Sequence, residues 1–353
     1  MLGSQFVYHF AKTFYSPAYI YSLVLDKFST SYEWPVRVRC GCSEEHPPAP
    51  STPRRTERLI YFVYGYGLRT AGSTFLRLDQ MNSIIRTFFP NVVTRLVTDR
   101  FLRQASPQDS IIVFSKSSLK HLDSAEISRL QARNNLVLID LVDGTYCDWM
   151  SISNGFLCAS LSELEFHTEK GNAACLVPHS YDMRIQTANQ VQNEFRVGYV
   201  GGKWTKTLPW AEMKVDAVIV SPNVRPFDRN PIWSRNAMQL SHHLLVRQNQ
   251  LGPESLIFKP PTKLATAIRM NAIPIVSNAD TELRKWLSDD YPYKFDDWSD
   301  LGDVLARANS DFMGGVSLEH VIDTKNLRRQ FCPILSTYAF LDYVENISPL
   351  DSK

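Results

Sequence analysis

The chain has 353 residues, of which 44% are hydrophobic and 21% are charged, a composition typical of globular proteins. Because a single core seldom grows beyond about 250–300 residues, this length favours two domains. The formal net charge is only +2, which gives no support to a general nucleic-acid-binding surface but still allows a local basic pocket for one small anion. We therefore expect no nucleic-acid partner.

The six cysteines of the chain are not arranged at metal-ligand spacing. Cys40 and Cys42 are too close for a zinc knuckle, and Cys147, Cys158 and Cys175 lie in or beside apolar runs. We expect buried thiols, no metal site and no disulfide framework. A reducing, cytoplasmic location fits this pattern.

The first part of the chain, 1–55, is expected to be an extension that ends in an exposed Pro-rich loop. Polar residues interrupt the aromatic-rich segment 1–25, so neither a signal peptide nor a transmembrane span is expected. Phe6, Phe10 and Phe14 fit the apolar face of a surface helix. Two destinations for this face stay open: packing on the first lobe, or peripheral contact with a membrane or a partner.

Residues 56–180 alternate apolar runs with helical spacers. The strongest runs occupy 59–64, 92–97, 110–114 and 136–142. A continuous apolar run is typical of a strand covered on both faces, and helical spacers between such runs favour a parallel sheet. We predict an N-terminal Rossmann-like lobe here.

The same rhythm restarts after a polar stretch, 180–194, which we interpret as the interlobe hinge. Further strands are predicted at 195–200, 215–220 and 273–276. The segment 231–248 is predicted to be a helix that contains His242 and His243. The second lobe then covers 195–315, and helices in 316–353 are expected to pack back toward the first. The predicted fold class is α/β, with two Rossmann-like lobes.

The most informative segment is 258–277, where a lysine-bearing loop opens into a helix. Pro260-Pro261 suits a helix start, because the missing N–H groups are not needed there. The helix that follows leads to a strand ending at Ser277, so its start is expected at the carboxyl edge of the sheet. A helix N-terminus attracts anions, and three side chains add donors to it: Lys259, Thr262 and Lys263. We predict a phosphate or diphosphate site; a solvated helix cap is the alternative.

This segment resembles the donor-binding segment of GT-B glycosyltransferases, where Lys-Pro-x-Thr-Lys-Leu precedes a helix and a Gly-x-Pro-Val-Ile-type strand. Residues 259–264 read Lys-Pro-Pro-Thr-Lys-Leu, and 272–276 read Ala-Ile-Pro-Ile-Val. Residues 197–202 are also similar to the Gly-rich first strand and loop of that lobe. The resemblance implies a GT-B fold, with two lobes facing each other across a cleft. It also implies further phosphate-binding residues in the second lobe: Gly201, Gly202 and Lys203.

The resemblance also implies an activity, namely transfer of a sugar from a nucleotide-sugar donor to a saccharide or glycoconjugate acceptor on the first lobe. GT-B enzymes usually need no bound metal, so no cofactor is expected. Lys259 and Thr266 stand where many retaining members carry two glutamates, so inversion and retention both stay open. A basic residue at this position suits a donor that carries its own carboxylate or an extra phosphate.

The loop after the first strand is a second candidate for ligand contact. Gly67 and Gly72 let the backbone approach a ligand closely, Ser73 is placed to cap the next helix, and Arg69 is expected to contact an anion. An ordinary βα turn is the alternative. Residues 71–77 also faintly resemble the phosphosulfate loop of sulfotransferases.

Two residues are candidates for the catalytic base. Asp143 ends a predicted central strand, where its carboxylate would receive the proton of an acceptor hydroxyl; a simple Asp-Gly turn is the alternative. His179 is expected to end the last strand of the first lobe. Its role could be that of a base, a phosphate contact or a structural histidine. Three functions stay open: a glycosyltransferase, a non-catalytic two-lobed nucleotide- or sugar-binding protein, and a sulfotransferase-like group transferase.

Overall fold

A computed structural model describes residues 58–69, 71–185, 192–201, 215–220, 236–246 and 258–347. The predicted N-terminal extension, with its expected membrane or partner contact, lies outside the described residues. Gly202 and Lys203 also lie outside them.

The first sheet has six parallel strands: β1 (Ile60–Tyr64), β2 (Thr94–Thr98), β3 (Ile111–Ser115), β4 (Leu136–Asp140), β5 (Gly155–Cys158) and β6 (Ala174–Leu176). Their order across the sheet is β2-β1-β3-β4-β5-β6, and Ile60 of β1 lies between Thr94 of β2 and Ile111 of β3. β1, β3, β4 and β5 are buried along their whole length. Their unbroken apolar runs therefore mark strands covered on both faces.

The helices of the first lobe lie between these strands. A π-helical segment, Thr74–Asp79, runs directly into the first of them, and the full set is α1 (Gln80–Phe88), α2 (Asp99–Ala105), α3 (Ser124–Gln131) and α4 (Leu161–Glu169). Short 3-10 turns occupy Lys116–His121 and Asp148–Ile152. The side chains of Thr98, Asp123 and Ser160 each accept a backbone N–H three residues on, which fixes where α2, α3 and α4 begin.

The second sheet has five parallel strands: β7 (Val197–Gly201), β8 (Ala217–Val220), β9 (His242–Leu245), β10 (Ile273–Ser277) and β11 (Lys294–Phe295). Their order is β11-β10-β9-β7-β8. In both sheets the chain places its second strand on one side of the first strand and its third on the other. This doubly wound order creates a crevice at the carboxyl ends of the strands. The prediction of an α/β protein with two Rossmann-like lobes is confirmed.

The remaining helices are α5 (Thr262–Arg269), α6 (Thr281–Trp286), α7 (Leu301–Met313), α8 (Leu318–Val321), α9 (Thr324–Gln330) and α10 (Pro333–Asn346). Leu318 and Leu327 belong to the core of the second lobe. Phe340 of α10, in contrast, packs against Phe62 of β1 with 5.6 Å between ring centroids. The chain therefore returns to the first lobe at α10. None of the described helices is long and apolar enough to cross a membrane.

His242 and His243 correct one prediction. The helix expected over 231–248 is present at 236–237 but is wrong over 242–245, because both histidines lie in β9 and pair with β7 and β10. Both side chains are buried, and the His242 ring packs 4.9 Å from Phe195, between ring centroids. Burial lowers the pKa of each histidine to about 4, so both are neutral at pH 7. A buried imidazole behaves as an apolar residue here, which the sequence pattern does not reveal.

The segment expected to be a hinge, 180–194, begins with a buried stretch. The side-chain amide of Gln80 donates to the Tyr181 carbonyl and accepts from the Met183 N–H, both at 3.0 Å. Tyr181 packs in the core of the second lobe and Met183 in that of the first. This crossing is therefore packed on both sides and anchored by α1.

Candidate functional site

An ion-pair bridge joins the two lobes at the carboxyl edges of their sheets. Asp143 follows β4 of the first lobe, and Lys259 stands just before α5 of the second. The Lys259 Nζ donates to Asp143 Oδ2 at 2.9 Å, and the Lys116 Nζ, at the end of β3, donates to Asp143 Oδ1 at 2.6 Å. The two carboxyl edges therefore face each other here, and this contact marks the cleft.

The Asp143 carboxylate is held in its charged form by these partners. Burial alone would raise its pKa, but hydrogen bonds and positive charge from Lys116 and Lys259 outweigh that effect and hold the pKa below its usual value. The Asp143 side chain is still 28% exposed, and those of the lysines are 42% and 44% exposed. A carboxylate paired in this way accepts protons poorly as long as both lysines stay in place.

The start of α5 lies beside the bridge. The helix begins at Thr262, with Pro261 as a cap that makes no side-chain hydrogen bond and with no acidic residue in the first turn. Its positive end is therefore not neutralised by a carboxylate of its own first turn. The Thr266 hydroxyl donates to the Thr262 carbonyl at 2.9 Å. Lys259 therefore lies three residues before the first residue of α5, which is Thr262.

Lys263 has a different environment from Lys259. Its Nζ donates to the Tyr199 hydroxyl at 2.7 Å and to the Val246 carbonyl at 2.8 Å, and it lies 4.2 Å from the centroid of the Tyr199 ring. Tyr199 is 1% exposed. Lys263 therefore ties α5 to β7 and to the residue after β9.

Two more predicted residues end strands at this edge of the second sheet. Gly201 closes β7, and a Cβ at this position would lie 2.4 Å from the Tyr199 hydroxyl, so the glycine permits a close approach. Ser277 closes β10, where its hydroxyl accepts the Ala279 N–H at 3.3 Å. Gly201 and Lys263 are therefore both adjacent to the Tyr199 side chain.

The Gly-rich loop of the first lobe is only partly turned outward. Gly67 has a positive φ of 76°, and Gly72 is exposed. Ser73 precedes the π-helical segment without a side-chain capping bond. Arg69 is buried, and its charge acts on Asp79, whose pKa burial raises to about 6 against the opposing charge of Arg69.

His179 is 4% exposed. Burial, reinforced by the charge of Arg77, lowers its pKa to about 4, so the imidazole is neutral at pH 7. Its Nδ1 atom has no hydrogen-bond partner among the described residues. The ring is thus chemically able to accept a proton, while little of it reaches the surface.

Arg77 was missed by sequence reasoning. Its Nε donates to Asp140 Oδ2 at 2.8 Å, and its Nη1 donates to the carbonyls of Val177 and Pro178, directly before His179. Both members of the Arg77–Asp140 pair are buried. An arginine within the apolar run 75–78 is the one signal that the sequence offers for this pair.

Two doubly wound sheets that meet at their carboxyl edges, with a last helix that returns to the first lobe, define the GT-B class of fold. No family model matches the sequence, and no curated protein matches it.

Several solved structures are similar to the chain at low identity. The lipopolysaccharide outer core galactosyltransferase WaaB, in its apo form, has a TM-score of 0.46 and 10% identity over 82% of this chain and 99% of its own. The DNA-modifying enzyme β-glucosyltransferase, described with and without uridine diphosphoglucose, has a TM-score of 0.47 and 11% identity over 82% and 99%. MnaA of S. aureus with UDP has a TM-score of 0.41 and 8% identity over 82% and 96%. The likeness is remote, and the fold assignment rests on the strand order and lobe arrangement described above.

Proposed function

We propose that this protein is a glycosyltransferase that moves a sugar from a nucleotide-sugar donor to a saccharide or glycoconjugate acceptor. The observation that carries the proposal is the position of Lys259, at the start of α5 and 2.9 Å from Asp143 of the opposite lobe. A cation beside a helix N-terminus at the carboxyl edge of a parallel sheet suits a diphosphate. The facing lobe then supplies the acceptor side.

The donor diphosphate would occupy the start of α5. Lys259, Thr262 and the first backbone N–H groups of the helix would bind it, and Lys263 would act indirectly by holding α5 against Tyr199. The end of β7 would approach the phosphates through Gly201, Gly202 and Lys203, as the resemblance implies. Ser277 would border the donor. Lysine and helix charge would stabilise the leaving diphosphate, so we expect no metal requirement for this step.

Donor binding would also change the pKa of the candidate base Asp143. In the transfer, the acceptor oxygen bonds to the anomeric carbon, the bond from that carbon to the diphosphate breaks, and the acceptor proton passes to a base. A diphosphate that takes Lys259 from Asp143 raises the pKa of that carboxylate and makes it a better base. His179, neutral at pH 7, is the second candidate. The variant that lacks the base, either Asp143→Asn or His179→Asn, should therefore lose the acidic limb of the pH–rate profile, where protonation of the base lowers the rate.

Of the two alternatives, the binding protein has the stronger support. Asp143 is held by two lysines, and Lys259 and Thr266 stand where retaining enzymes carry glutamates, so binding without turnover fits the same site. A sulfotransferase-like protein predicts one main domain, whereas the described residues form two sheets.

A thermal-shift screen tests the proposal. The full chain is melted with UDP, GDP, ADP, CMP and adenosine 3′,5′-bisphosphate, because a ligand that binds the folded state raises its Tm. We expect one sugar-carrier nucleotide to raise the Tm, Lys259→Met to abolish the shift, and Lys170→Met to preserve it. Lys170 is 42% exposed and pairs at 3.8 Å with an exposed aspartate, Asp148, so it is a matched control.

A turnover assay then distinguishes the glycosyltransferase from the non-catalytic binding protein. The corresponding nucleotide-sugar should release its nucleoside diphosphate when acceptor saccharides are added. A thermal shift without turnover would favour the binding protein, and a shift with the bisphosphate alone would favour the sulfotransferase-like function. No shift with any nucleotide would overturn the assignment of a donor site.

A further inference from the structure

A cluster of three potential metal ligands lies inside the first lobe, outside the residues assigned above. The Cys158 Sγ, a carboxylate oxygen of Glu163 and a ring nitrogen of His167 all lie within 4.8 Å of one another. All three residues are 0% exposed. Cys158 ends β5, whereas Glu163 and His167 are four residues apart and share one face of α4.

Neighbouring groups fix the two ligands on α4 through their other polar atoms. Glu163 Oε2 accepts the Ala159 N–H at 2.7 Å. The His167 ring stacks on Phe156 with 3.7 Å between centroids, and its Nδ1 lies 3.1 Å from the side-chain amide of Asn172. An Asn amide can present either end to a ring nitrogen. Asn172 can therefore accept from Nδ1–H and leave Nε2 to bind an ion, as supporting residues do at metal sites.

The atoms left over are buried and unsatisfied. Glu163 Oε1 and His167 Nε2 have no hydrogen-bond partner within the described part of the chain. Buried polar atoms without a partner are rare, since each costs about 1–3 kcal/mol. An ion between a thiol, a carboxylate and an imidazole would satisfy both atoms.

We propose that Cys158, Glu163 and His167 bind one divalent cation of the zinc type. Thiolate, imidazole and carboxylate are the ligands that zinc takes in proteins, whereas magnesium and calcium prefer oxygen alone. The thiolate and the carboxylate together neutralise a dication, and the nearby Arg77–Asp140 pair is neutral in itself. Charge balance therefore permits the ion in a fully buried place.

Binding of the ion needs the thiolate of Cys158 and the carboxylate of Glu163. Two protons therefore pass to solvent when one dication is bound by the thiol and the carboxylic acid.

The role of such an ion is structural. It would link the end of β5 to the first turns of α4 and so fix that helix on the sheet. The first turn of α4 also receives Glu282 from the second lobe, through the N–H groups of Leu161 and Ser162. The ion would therefore stabilise the position of α4, which is one of the elements through which the two lobes contact each other.

Cobalt(II) is the probe for this proposal. The full chain is stripped with a chelator and titrated with cobalt(II). We expect saturation at one equivalent, a thiolate-to-cobalt charge-transfer band, and loss of that band when zinc is added. Metal uptake should also raise the Tm. Absence of the charge-transfer band in the unsubstituted protein would overturn the proposal, and this result depends on no variant.

Variants then assign the ligands. Cys158→Ser should remove the charge-transfer band, and His167→Gln should weaken cobalt binding by about tenfold or more. Cys332→Ser is the control, because Cys332 is also buried and stands outside the cluster. Circular dichroism confirms that each variant is folded. An unchanged band in folded Cys158→Ser would show that the thiolate ligand is another cysteine and would overturn this site.

Discussion

The carboxylate of Glu282, in α6 of the second lobe, caps α4 of the first lobe by accepting the backbone N–H of Leu161 at 2.8 Å. Its other oxygen accepts the Ser162 N–H at 2.9 Å, and the indole N–H of Trp286 donates at 2.6 Å to the oxygen that also accepts Leu161. Glu282 is 4% exposed. The lobes are thus joined by a charged cap on the positive end of a helix dipole, supplied from the opposite lobe.

Glu282→Gln tests this cap. The amide keeps the shape of the side chain but removes its charge and one acceptor, so we expect a loss of about 1–3 kcal/mol in the free energy of unfolding. We also expect a larger radius of gyration, because the lobes lose a fixed contact. Urea unfolding and small-angle X-ray scattering measure the two effects. Glu319→Gln, at a 66% exposed glutamate paired with Arg328 at 3.5 Å, should change neither; equal behaviour of the two variants would contradict the prediction.

The two lysines at α5 should differ in what they stabilise. Lys263→Met removes the donor to the Tyr199 hydroxyl and the Val246 carbonyl, so we expect it to lower the free energy of unfolding by about 1–3 kcal/mol. Lys259→Met breaks an exposed ion pair and should cost at most about 1 kcal/mol. Guanidinium unfolding of both variants measures the difference. Equal losses would show that Lys263 does not hold the helix.

This difference shows how far sequence reasoning reaches at the candidate site. The lysine-rich helix start could be predicted from residues 258–264, because prolines and a strand boundary define it locally. Which lysine points inward could not, since that depends on Tyr199, more than sixty residues earlier. For the same reason Asp143 was predicted at the cleft, while its pairing with both Lys116 and Lys259 was not.

The fold shows the same division. β1, β3 and β4 are continuous apolar runs, and this composition alone indicates that they are buried, so these strands could be predicted. β9 could not, because His242 and His243 are apolar only when the surrounding protein keeps them neutral. The grouping of Cys158, Glu163 and His167 could not be predicted, because Cys158 belongs to a strand and the other two to a helix, so no paired-cysteine spacing indicates it. The Glu-x3-His spacing could be recognised in the sequence, but the residues on a helix face do not indicate which strand that face packs against.

Gly65 should tolerate no side chain. It follows β1, donates its N–H to the Ser117 hydroxyl at 3.0 Å, and a Cβ there would lie 2.2 Å from the Ser117 carbonyl oxygen. Since that oxygen belongs to backbone, Gly65→Ala should cost about 1–3 kcal/mol. It should also displace the turn that carries Lys116.

Gly72→Ala is the matched control for this prediction. A Cβ at Gly72 would have no neighbour within 4 Å, so the substitution should be neutral or stabilise the protein by up to about 1 kcal/mol. Urea unfolding of both variants gives the comparison. A stable Gly65→Ala variant would mean that the loop and the turn separate easily.

We expect His242 to cause part of the loss of folding stability at acid pH. Its pKa falls from 6.5 to about 4 through burial and, to a smaller extent, the neighbouring His243. The folded state therefore binds fewer protons than the unfolded state between these values. The contribution of neutral His242 to the free energy of unfolding is fully present above pH 6.5. It is lost as the pH falls from 6.5 toward 4, which amounts to up to about 3 kcal/mol for this one group.

His242→Phe removes this titration while keeping an aromatic ring beside Phe195 and Tyr293. We expect the difference in free energy of unfolding between pH 7.5 and pH 4.5 to shrink by up to about 3 kcal/mol. Urea unfolding at both pH values measures it. Ser241→Ala is the control, because it removes the hydroxyl 2.9 Å from His242 Nδ1 but keeps the imidazole. That variant should lose stability about equally at both pH values, and an unchanged pH difference in His242→Phe would place the acid sensitivity elsewhere.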